Sequence, residues 1–399
     1  MQNTDEIYEQ AVASGLIPGY SLLAGDADGN LLYSKSGGRA SLKEGDDRQF
    51  TQSTICAVAS MTKLMTSIAV LQAVEDGVLD LDSGVRPLLP RIGEYGIIKH
   101  FDVERNEAVL ETDSSTITTR MLLSHTSGHE YDALNPLLAN WRASRGEEPG
   151  TGPTVEHRCV LPLMSAPGTG FAYGAGHDWA GKVVEITTKS TLDDFMRERI
   201  WKPLGIENDT SFYPKTQDAM KNRIAGIATL GEKGEPPAVD AGFFDNPFGG
   251  TDCFGGSGLY TSARAYHTFL SAILKRDPKL LKRESYEELF RPQLDEKCEQ
   301  ALNDYVSLSP RHTQLLAMRI PSPIRKSWSF AGMIAKEGRE GRFGAGTVFW
   351  GGVPCTQWFI DHENGIHGAA VCQVIPPLHP AVIALHEEFQ RGVLEQVKR

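Results

Sequence analysis

Strand-like segments at both ends of the chain, with helical segments between them, restrict the fold more than any other feature. An apolar run from Gly19, a turn at 26–30 and a second run from Leu31 predict a β-hairpin. Further strand-like segments with glycine-rich connections stand near the C-terminus, at 346–350, 356–361 and 367–374. The pattern predicts one antiparallel sheet built from both termini, an α+β fold and not an alternating βαβ one.

Helix-like segments fill most of the remaining chain. From Ser60 to Asp76, apolar residues recur at spacings of three and four, and Gly77 is a plausible stop. Other helical segments are expected at 119–123, 178–188, 192–201 and about 381–397. The segment 147–170, rich in Gly, Pro and Thr, is expected to be a loop. We expect a single catalytic domain over 1–399, with an α/β part at about 1–90 and 255–399 and a largely helical insert at about 91–254.

The net charge and the apolar pattern speak against several classes of partner, and the cysteines indicate the compartment. The formal net charge of -11, from 40 basic and 51 acidic residues, speaks against nucleic acid or an anionic membrane as a partner. No apolar stretch approaches the roughly 18 to 20 residues that span a bilayer, and the polar, acidic start lacks a secretory pattern. The six cysteines lie far apart without a Cys-x-x-Cys pair. We expect a cytoplasmic protein without metal or organic cofactor.

The sharpest local pattern is Ser60-Met-Thr-Lys63 at the start of the predicted helix. Residues three apart share a helix face, so the hydroxyl and the amine can lie side by side. A serine hydroxyl needs a base, and a lysine made neutral by burial or a nearby cation can serve as one. Ser-x-x-Lys also occurs by chance, and the alternative is an N-cap serine beside a solvated lysine.

Other chemistries lack their sequence patterns. There is no Gly-x-Ser-x-Gly nucleophile elbow, no Walker sequence and no Gly-x-Gly-x-x-Gly phosphate loop. His125 and His129 stand four apart, but no Glu follows His125 as in a zinc protease helix, so a loop or helix end is favoured over a metal site.

With Ser60-Met-Thr-Lys63 located, the chain resembles the serine β-lactamase and penicillin-binding-protein superfamily, on its class C side. The segments that carry the resemblance stand in the expected order at 57–63, 71–82, 122–128, 171–175, 202–206 and 350–353. Tyr173 falls where the family places its catalytic Tyr-x-Asn, and Trp350-Gly-Gly-Val353 takes the place of the late Lys-Thr-Gly strand.

Departures from the family pattern narrow the expected chemistry. Trp350 replaces the basic residue of Lys/His-Thr-Gly, and Ala175 replaces the Asn of Tyr-x-Asn. Both losses speak against β-lactam or peptidoglycan substrates, and Trp-Gly-Gly resembles the family VIII carboxylesterases. The segments 173–182 and 253–259 look like those of the fungal polyketide acyltransferases and statin esterases.

The resemblance assigns roles to individual residues. It implies Ser60 as the nucleophile with Lys63 and Tyr173 handling its proton, and leaves open which of the two takes it. It implies an oxyanion hole made by the backbone N–H groups of Ser60 and Val353. By themselves, Tyr173 could be a half-buried tyrosine and Trp350 a packed strand residue.

A small-molecule acyl ester is the expected partner. Aromatic residues expected around the site suit a bulky apolar ester, and they are Tyr131, Trp141, Phe243, Phe244, Phe248 and Trp328. The substrate-binding residues expected on these grounds are Tyr131, Phe243, Trp328, Trp350, Gly351 and Gly352. We expect hydrolysis of a polyketide or statin side-chain ester through an acyl-Ser60 intermediate. Transfer of the acyl group to a polyketide alcohol is the alternative, and a β-lactamase, a DD-peptidase or a non-catalytic binding protein is less favoured.

Overall fold

The structure, a computed structural model, describes residues 1–242 and 250–398. Its strands are β1 (Gly19–Asp26), β2 (Leu31–Gly38), β3 (Ile55–Ala57), β4 (Ile97–Asp102), β5 (Glu107–Glu111), β6 (Thr210–Ser211), β7 (Ala228–Thr229), β8 (Val239–Asp240), β9 (Tyr260–Ser262), β10 (Lys326–Trp328), β11 (Met333–Ala335), β12 (Val348–Gly352), β13 (Thr356–Asp361), β14 (Ile366–Cys372) and β15 (Val374–Ile375). Its α-helices are α1 (Gln2–Ala13), α2 (Thr62–Glu75), α3 (Thr119–Leu123), α4 (Pro136–Ser144), α5 (Val155–Cys159), α6 (Gly176–Thr188), α7 (Leu192–Met196), α8 (Lys202–Leu204), α9 (Ala263–Leu274), α10 (Arg283–Phe290), α11 (Glu296–Ser307), α12 (Pro310–Leu316) and α13 (Pro380–Val397).

A seven-stranded sheet forms the centre of the fold, in the order β10-β11-β12-β13-β14-β1-β2. All its neighbouring strands are antiparallel, and β1 from the N-terminal hairpin pairs with β14 from the C-terminal part. The expected α+β fold, with one sheet built from both termini, is therefore confirmed. The segment between the two sheet halves carries α2 to α12, and it also holds short strands that the sequence did not predict.

Helices cover both faces of the sheet. Side chains alternate between the faces along β1, so its residues show which helix packs on which side. Tyr20 points to one face, where its ring lies 4.8 Å from that of Tyr8 on α1. Gly25 lies on the opposite face, where a Cβ would come within 2.9 Å of His267 on α9. Helices α1 and α13 therefore pack on one side and α9 on the other.

The helix after Ser60 is buried on every side. A 3₁₀ turn over Ala59–Met61 leads into α2, and the residues from Thr62 to Ala73 are all buried. It packs against α6 and α10, so its mixture of apolar and small polar residues faces protein all round. The expected helix is confirmed, although its first turn is tighter than an α-helix.

Some of the predicted element bounds are confirmed and others are wrong. The strands and helices expected at 356–361, 119–123 and about 381–397 are confirmed within a residue or so. The loop expected over 147–170 is wrong in part, because Thr154 caps the short α5 by accepting a hydrogen bond from the His157 amide. Strand β12 runs on through Gly352, so Gly351 and Gly352 belong to the strand and not to its connection.

Helix α1, which was not predicted, buries Thr4, Tyr8 and Ala11 against the core. In the described parts of the chain, no helix is long and apolar enough to cross a membrane. All six cysteines are buried free thiols. The division of the chain near residues 90 and 255 stays a prediction.

Candidate active site

Ser60 stands on a sharp turn between β3 and α2. Ala59 before it has a φ of 43°, a left-handed conformation that a residue with a Cβ rarely adopts. Thr62 Oγ1 secures the turn by donating to the Ala59 carbonyl at 2.6 Å. Strain at such a position is held only by surrounding structure, and it is common next to reacting groups. The turn leaves Ser60 half-buried at a cavity while its neighbours are buried.

Strand β12 approaches this turn so closely that only glycine fits. A Cβ on Gly352 would lie 2.2 Å from the Val58 carbonyl oxygen, which is a backbone atom and cannot move aside without moving Ser60. The missing side chain therefore sets Val353 beside the Ser60 turn, and both residues border the same cavity. The oxyanion hole expected from the backbone N–H groups of Ser60 and Val353 stays a prediction.

The three residues expected to carry the chemistry meet at Ser60 Oγ. Lys63 Nζ donates to this oxygen at 3.1 Å, and the Tyr173 hydroxyl lies 2.8 Å from it. Lys63 Nζ also lies 4.8 Å from the centre of the Tyr173 ring. These separations are within the range in which a proton moves between a nucleophile and its base.

Lys63 is surrounded by acceptors. Besides Ser60 Oγ, its amine donates to the Tyr131 hydroxyl at 3.1 Å and to the Gly256 carbonyl at 2.7 Å. These acceptors match the three N–H bonds of an ammonium group. These hydrogen bonds hold the amine in place, and the side chain is itself almost fully buried.

Asp178 on α6 supports the lysine from behind. Its carboxylate accepts a hydrogen bond from the Gly256 amide at 2.9 Å and one from the Tyr131 hydroxyl at 3.4 Å. Burial raises the pKa of Asp178, while the nearby Lys63 cation and the Gly256 amide act in the opposite direction. Burial also raises the pKa of Tyr131, so its phenol stays protonated and donates to Asp178. Lys63 and Asp178 are thus connected through Tyr131 and Gly256.

The loop that carries Tyr173 packs backbone to backbone against the segment 122–130. A Cβ on Gly174 would lie 2.3 Å from the His129 carbonyl oxygen, and one on Gly176 would lie 2.1 Å from that of Leu122. The Tyr131 amide also donates to the Tyr173 carbonyl at 3.2 Å. The segments 122–128 and 173–182, which both carry the family resemblance, are therefore in contact. This contact fixes the position of Tyr173 relative to Ser60.

Neutral histidines lie beneath Tyr173. The His125 ring is 4.7 Å from the Tyr173 ring and 5.2 Å from that of His177. Burial first, and the Lys63 cation second, lower the pKa of His125, and burial has the same leading effect on His177. Within residues 1–242 and 250–398, no group of three or more His, Cys, Asp or Glu residues is placed to hold a metal ion. The histidines therefore serve as packing that keeps added positive charge away from Lys63.

Trp350 contacts the reacting group directly. Its indole Nε1–H donates to the Tyr173 hydroxyl at 3.1 Å, and the two rings lie 5.1 Å apart. The sequence predicts this residue as a pocket wall, and it does line the cavity. The hydrogen bond to Tyr173 was not foreseen, because nothing local to either residue indicates the other.

A cavity of about 300 Å³ opens above Ser60. Of the residues expected to bind substrate, Tyr131, Trp350, Gly351 and Gly352 line it. Apolar residues that were not foreseen complete the wall, and they include Ala133, Leu134, Phe254, Leu315, Leu316 and Met318. Those on and after α12 come from a part of the chain without any sequence signal for a site.

Other expected aromatic contacts lie elsewhere. Trp328 is 1% exposed and stands behind Trp350, with its Nε1–H donating to the Leu123 carbonyl, so it is not a lining residue of this cavity. Trp141 packs with Tyr95 in a separate apolar cluster. Phe243, Phe244 and Phe248 lie outside the described residues. Asp178 and Gly256 were missed as site residues, although both stand inside segments that carry the family resemblance.

The fold and the arrangement of Ser60, Lys63 and Tyr173 agree with the resemblance to the serine β-lactamases, and sequence comparison shows the family. A model of the Beta-lactamase family matches residues 4–390, and the chain belongs to that family.

Particular relatives refine the class. A lovastatin esterase from Penicillium rubens is 32% identical over 98% of this chain and 97% of its own length. A monacolin J acid methylbutanoyltransferase from Aspergillus terreus is 32% identical over 98% of this chain and 95% of its own. A mutant simvastatin synthase from Aspergillus terreus has a structure that superimposes with a TM-score of 0.89, at 32% identity, covering 99% of this chain and 94% of that one. The chain is therefore an enzyme on the esterase and acyltransferase side of the family, as the sequence predicted.

Proposed function

We propose that this enzyme hydrolyses an acyl ester of a bulky apolar alcohol, with a statin side-chain ester as the leading candidate, through an acyl-Ser60 intermediate. The observation that carries the proposal is Ser60 Oγ held between Lys63 Nζ and the Tyr173 hydroxyl at the base of an apolar cavity. Relatives whose names specify lovastatin and monacolin J cover almost the whole chain, which supports the choice of substrate.

Tyr173 takes the proton of Ser60 in the proposed mechanism. The Lys63 amine donates to Ser60 Oγ and lies 4.8 Å from the centre of the Tyr173 ring, so it can stabilise the negative charge that develops there as the proton moves. The Trp350 indole N–H also donates to the phenolic oxygen and stabilises its negative charge. The separation of 2.8 Å serves a hydrogen bond in either direction, so Ser60 O–H donates once Tyr173 is ionised.

Each half-reaction then balances. Ser60 Oγ attacks the acyl carbon as its proton passes to Tyr173, and the carbonyl oxygen becomes an oxyanion. The backbone N–H groups of Ser60 and Val353 bind this oxyanion. As the ester bond breaks, Tyr173 returns the proton to the leaving alcohol. Water repeats the sequence on the acyl-enzyme, with Ser60 as the leaving group.

The cavity supports an apolar acyl or alcohol group. Leu134, Leu316 and Met318 offer burial without charge, and Trp350 stands where the β-lactamases and peptidases of the family have a basic residue. The proposed contacts with the substrate are made by Tyr131, Trp350, Gly351 and Gly352. We place the enzyme in the cytoplasm, since all six cysteines are free thiols.

The test is intact-mass trapping of the acyl-enzyme together with product analysis. The protein is incubated with lovastatin, with p-nitrophenyl esters and with a β-lactam, and Ser60→Ala is the control. We expect a mass increase on Ser60 and release of the free alcohol from lovastatin, neither of them with Ser60→Ala. Absence of both alcohol release and acyl exchange would rule out the statin assignment. Failure of every ester to label Ser60 would favour a non-catalytic binding protein.

The acyl acceptor needs a separate measurement, because the acyltransferase alternative shares the acyl-Ser60 intermediate. The almost equal identity to an esterase and a transferase keeps this alternative open. The acyl-enzyme is formed with a p-nitrophenyl ester, and its decay is followed with and without monacolin J. For a hydrolase, decay in buffer alone is fast and the added alcohol changes it little. Decay that depends on the alcohol would identify a transferase.

A further inference from the structure

A buried turn follows Val353, between β12 and β13. Cys355 in this turn has a φ of 56°, a left-handed conformation in a residue with a side chain. Its amide donates to the Val353 carbonyl at 2.7 Å across Pro354, which closes the chain tightly. The orientation of the Val353 peptide therefore depends on what holds Cys355.

The Cys355 carbonyl is held by two side chains. His386 Nε2 on α13 lies 2.7 Å from this oxygen, and the Cys372 thiol donates to it at 3.1 Å. A carbonyl can only accept, so the hydrogen of the His386 ring stands on Nε2. Burial lowers the pKa of His386 to about 4, so the ring is neutral near pH 7 and its Nδ1 carries a lone pair.

Tyr8 on α1 completes the chain of hydrogen bonds. Its hydroxyl lies 2.6 Å from His386 Nδ1 and must donate, because Nδ1 has no hydrogen. Both side chains are buried, and they stand 378 positions apart in the sequence. The bond from Tyr8 satisfies the Nδ1 lone pair and holds the ring in the orientation that points Nε2–H at the Cys355 carbonyl.

We infer that Tyr8 and His386 are positioning residues for the oxyanion-binding turn. Two hydrogen bonds, from Tyr8 to His386 and from His386 to the Cys355 carbonyl, hold the turn that carries Val353. This role rests on the proposed function of the Val353 N–H group. Neither residue touches the cavity, and both act through the backbone. The N-terminal helix thereby supports the catalytic step from the opposite side of β12.

Loss of the Tyr8 hydroxyl leaves the buried Nδ1 lone pair of His386 without a donor. The Cys355 carbonyl still requires the hydrogen on Nε2, so the tautomer stays the same, but the ring is no longer held from its far side. The ring then shifts toward a new donor, its hydrogen bond to the carbonyl weakens, and the turn moves with it. A displaced Val353 N–H binds the transition-state oxyanion less well while the cavity wall stays in place. The effect is expected in kcat and not in KM.

The matched test compares Tyr8→Phe with Tyr20→Phe. Both tyrosines are buried and their rings are in contact, but among the described residues the Tyr20 hydroxyl has no hydrogen-bond partner. Full loss of one oxyanion donor costs about 10²- to 10³-fold in kcat, so a displaced donor in Tyr8→Phe should cost about tenfold. Tyr20→Phe should stay close to wild type. Rates on a p-nitrophenyl ester are expressed per site titrated by an irreversible serine reagent, so unfolded protein does not count.

Two further readouts separate positioning from general stability. Nitrogen NMR of the histidine rings should show the Nε2–H form of His386 in both proteins, with the Nδ1 resonance of Tyr8→Phe shifted toward that of a lone pair without a hydrogen bond. His386→Gln keeps a donor for the Cys355 carbonyl and should retain more kcat than His386→Leu at similar melting temperature.

Equal kcat for Tyr8→Phe and Tyr20→Phe, with an active wild type, would overturn the inference and leave the proposed function intact. A wild type that forms no acyl-enzyme with any ester would instead remove the proposed function on which the inference rests.

Discussion

The base of the cavity and its wall are held by different forces. At the base, Ser60, Lys63 and Tyr173 are fixed by directional hydrogen bonds between 2.7 and 3.1 Å, and the supporting Asp178 is buried with them. The wall from Leu315 to Met318 consists of apolar side chains that touch the cavity by van der Waals contact alone. The comparison indicates that changes at the base alter the chemical step, whereas changes in the wall alter binding and selectivity.

Buried hydrogen bonds make the base the more sensitive region. The buried Lys63 amine donates to three acceptors. Removing one of these acceptors leaves a buried N–H group without a hydrogen bond. The wall has no such dependence, because an apolar contact that is lost costs only its own burial and the resulting cavity. Substitutions at the two places should therefore separate in kcat and KM.

The largest effect is expected at Lys63. Lys63→Met removes the amine that donates to Ser60 Oγ and lies against the Tyr173 ring, and it should lower kcat about 10³-fold, within the range of proton-transfer catalysis. Tyr131→Phe removes one of its acceptors but leaves the Gly256 carbonyl, and it should cost about tenfold. Steady-state kinetics on a p-nitrophenyl ester measure both, with melting temperatures as the folding control. A Lys63→Met enzyme within tenfold of wild type would contradict the proposed role of the amine.

An intermediate effect is expected at Trp350. Trp350→Phe keeps an aromatic wall but removes the indole hydrogen bond to Tyr173, and a bond to a charged group is worth about 1.5–3 kcal/mol. We expect kcat to fall about 10- to 100-fold with little change in KM.

Trp328→Phe is the matched control for Trp350→Phe. The two rings lie 4.7 Å apart, and the control also loses one indole hydrogen bond, but to the Leu123 carbonyl and not to Tyr173. If both variants lost kcat equally, packing would explain the loss and the hydrogen bond to Tyr173 would not.

The smallest effect is expected in the wall. Leu316→Ala should raise KM for a bulky ester about fivefold and leave kcat within about twofold, because it removes about 1 kcal/mol of apolar contact with the substrate. An acetyl ester, too short to fill the cavity, should be unaffected. Leu308→Ala, at a site 67% exposed just before α12, is the control. A fall in kcat for the acetyl ester would show that the wall also shapes the base.

Much of the site could be predicted because its signals are local. Ser60 and Lys63 are neighbours on one helix face by their spacing, and the hairpin of β1 and β2 follows from two apolar runs on either side of a turn. Tyr173 needed the family resemblance, since an isolated tyrosine carries no such pattern. The prediction of an oxyanion hole at Ser60 and Val353 also came from the resemblance. The structure explains why glycine stands at 352, because a Cβ there would collide with the Ser60 turn.

The sequence by itself determined the α+β class, because each strand and each helix is a local pattern, and it placed Ser60 and Lys63 on one helix face by their spacing. Only the tertiary structure decided which groups face them. Trp350 and Tyr173 are 177 positions apart, and Tyr8 and His386 are 378 apart. Such hydrogen bonds arise only when distant elements pack, and the direction of an indole N–H or an imidazole depends on that packing. For the same reason Trp328 lies behind the cavity, while Leu316 and Met318 form its wall.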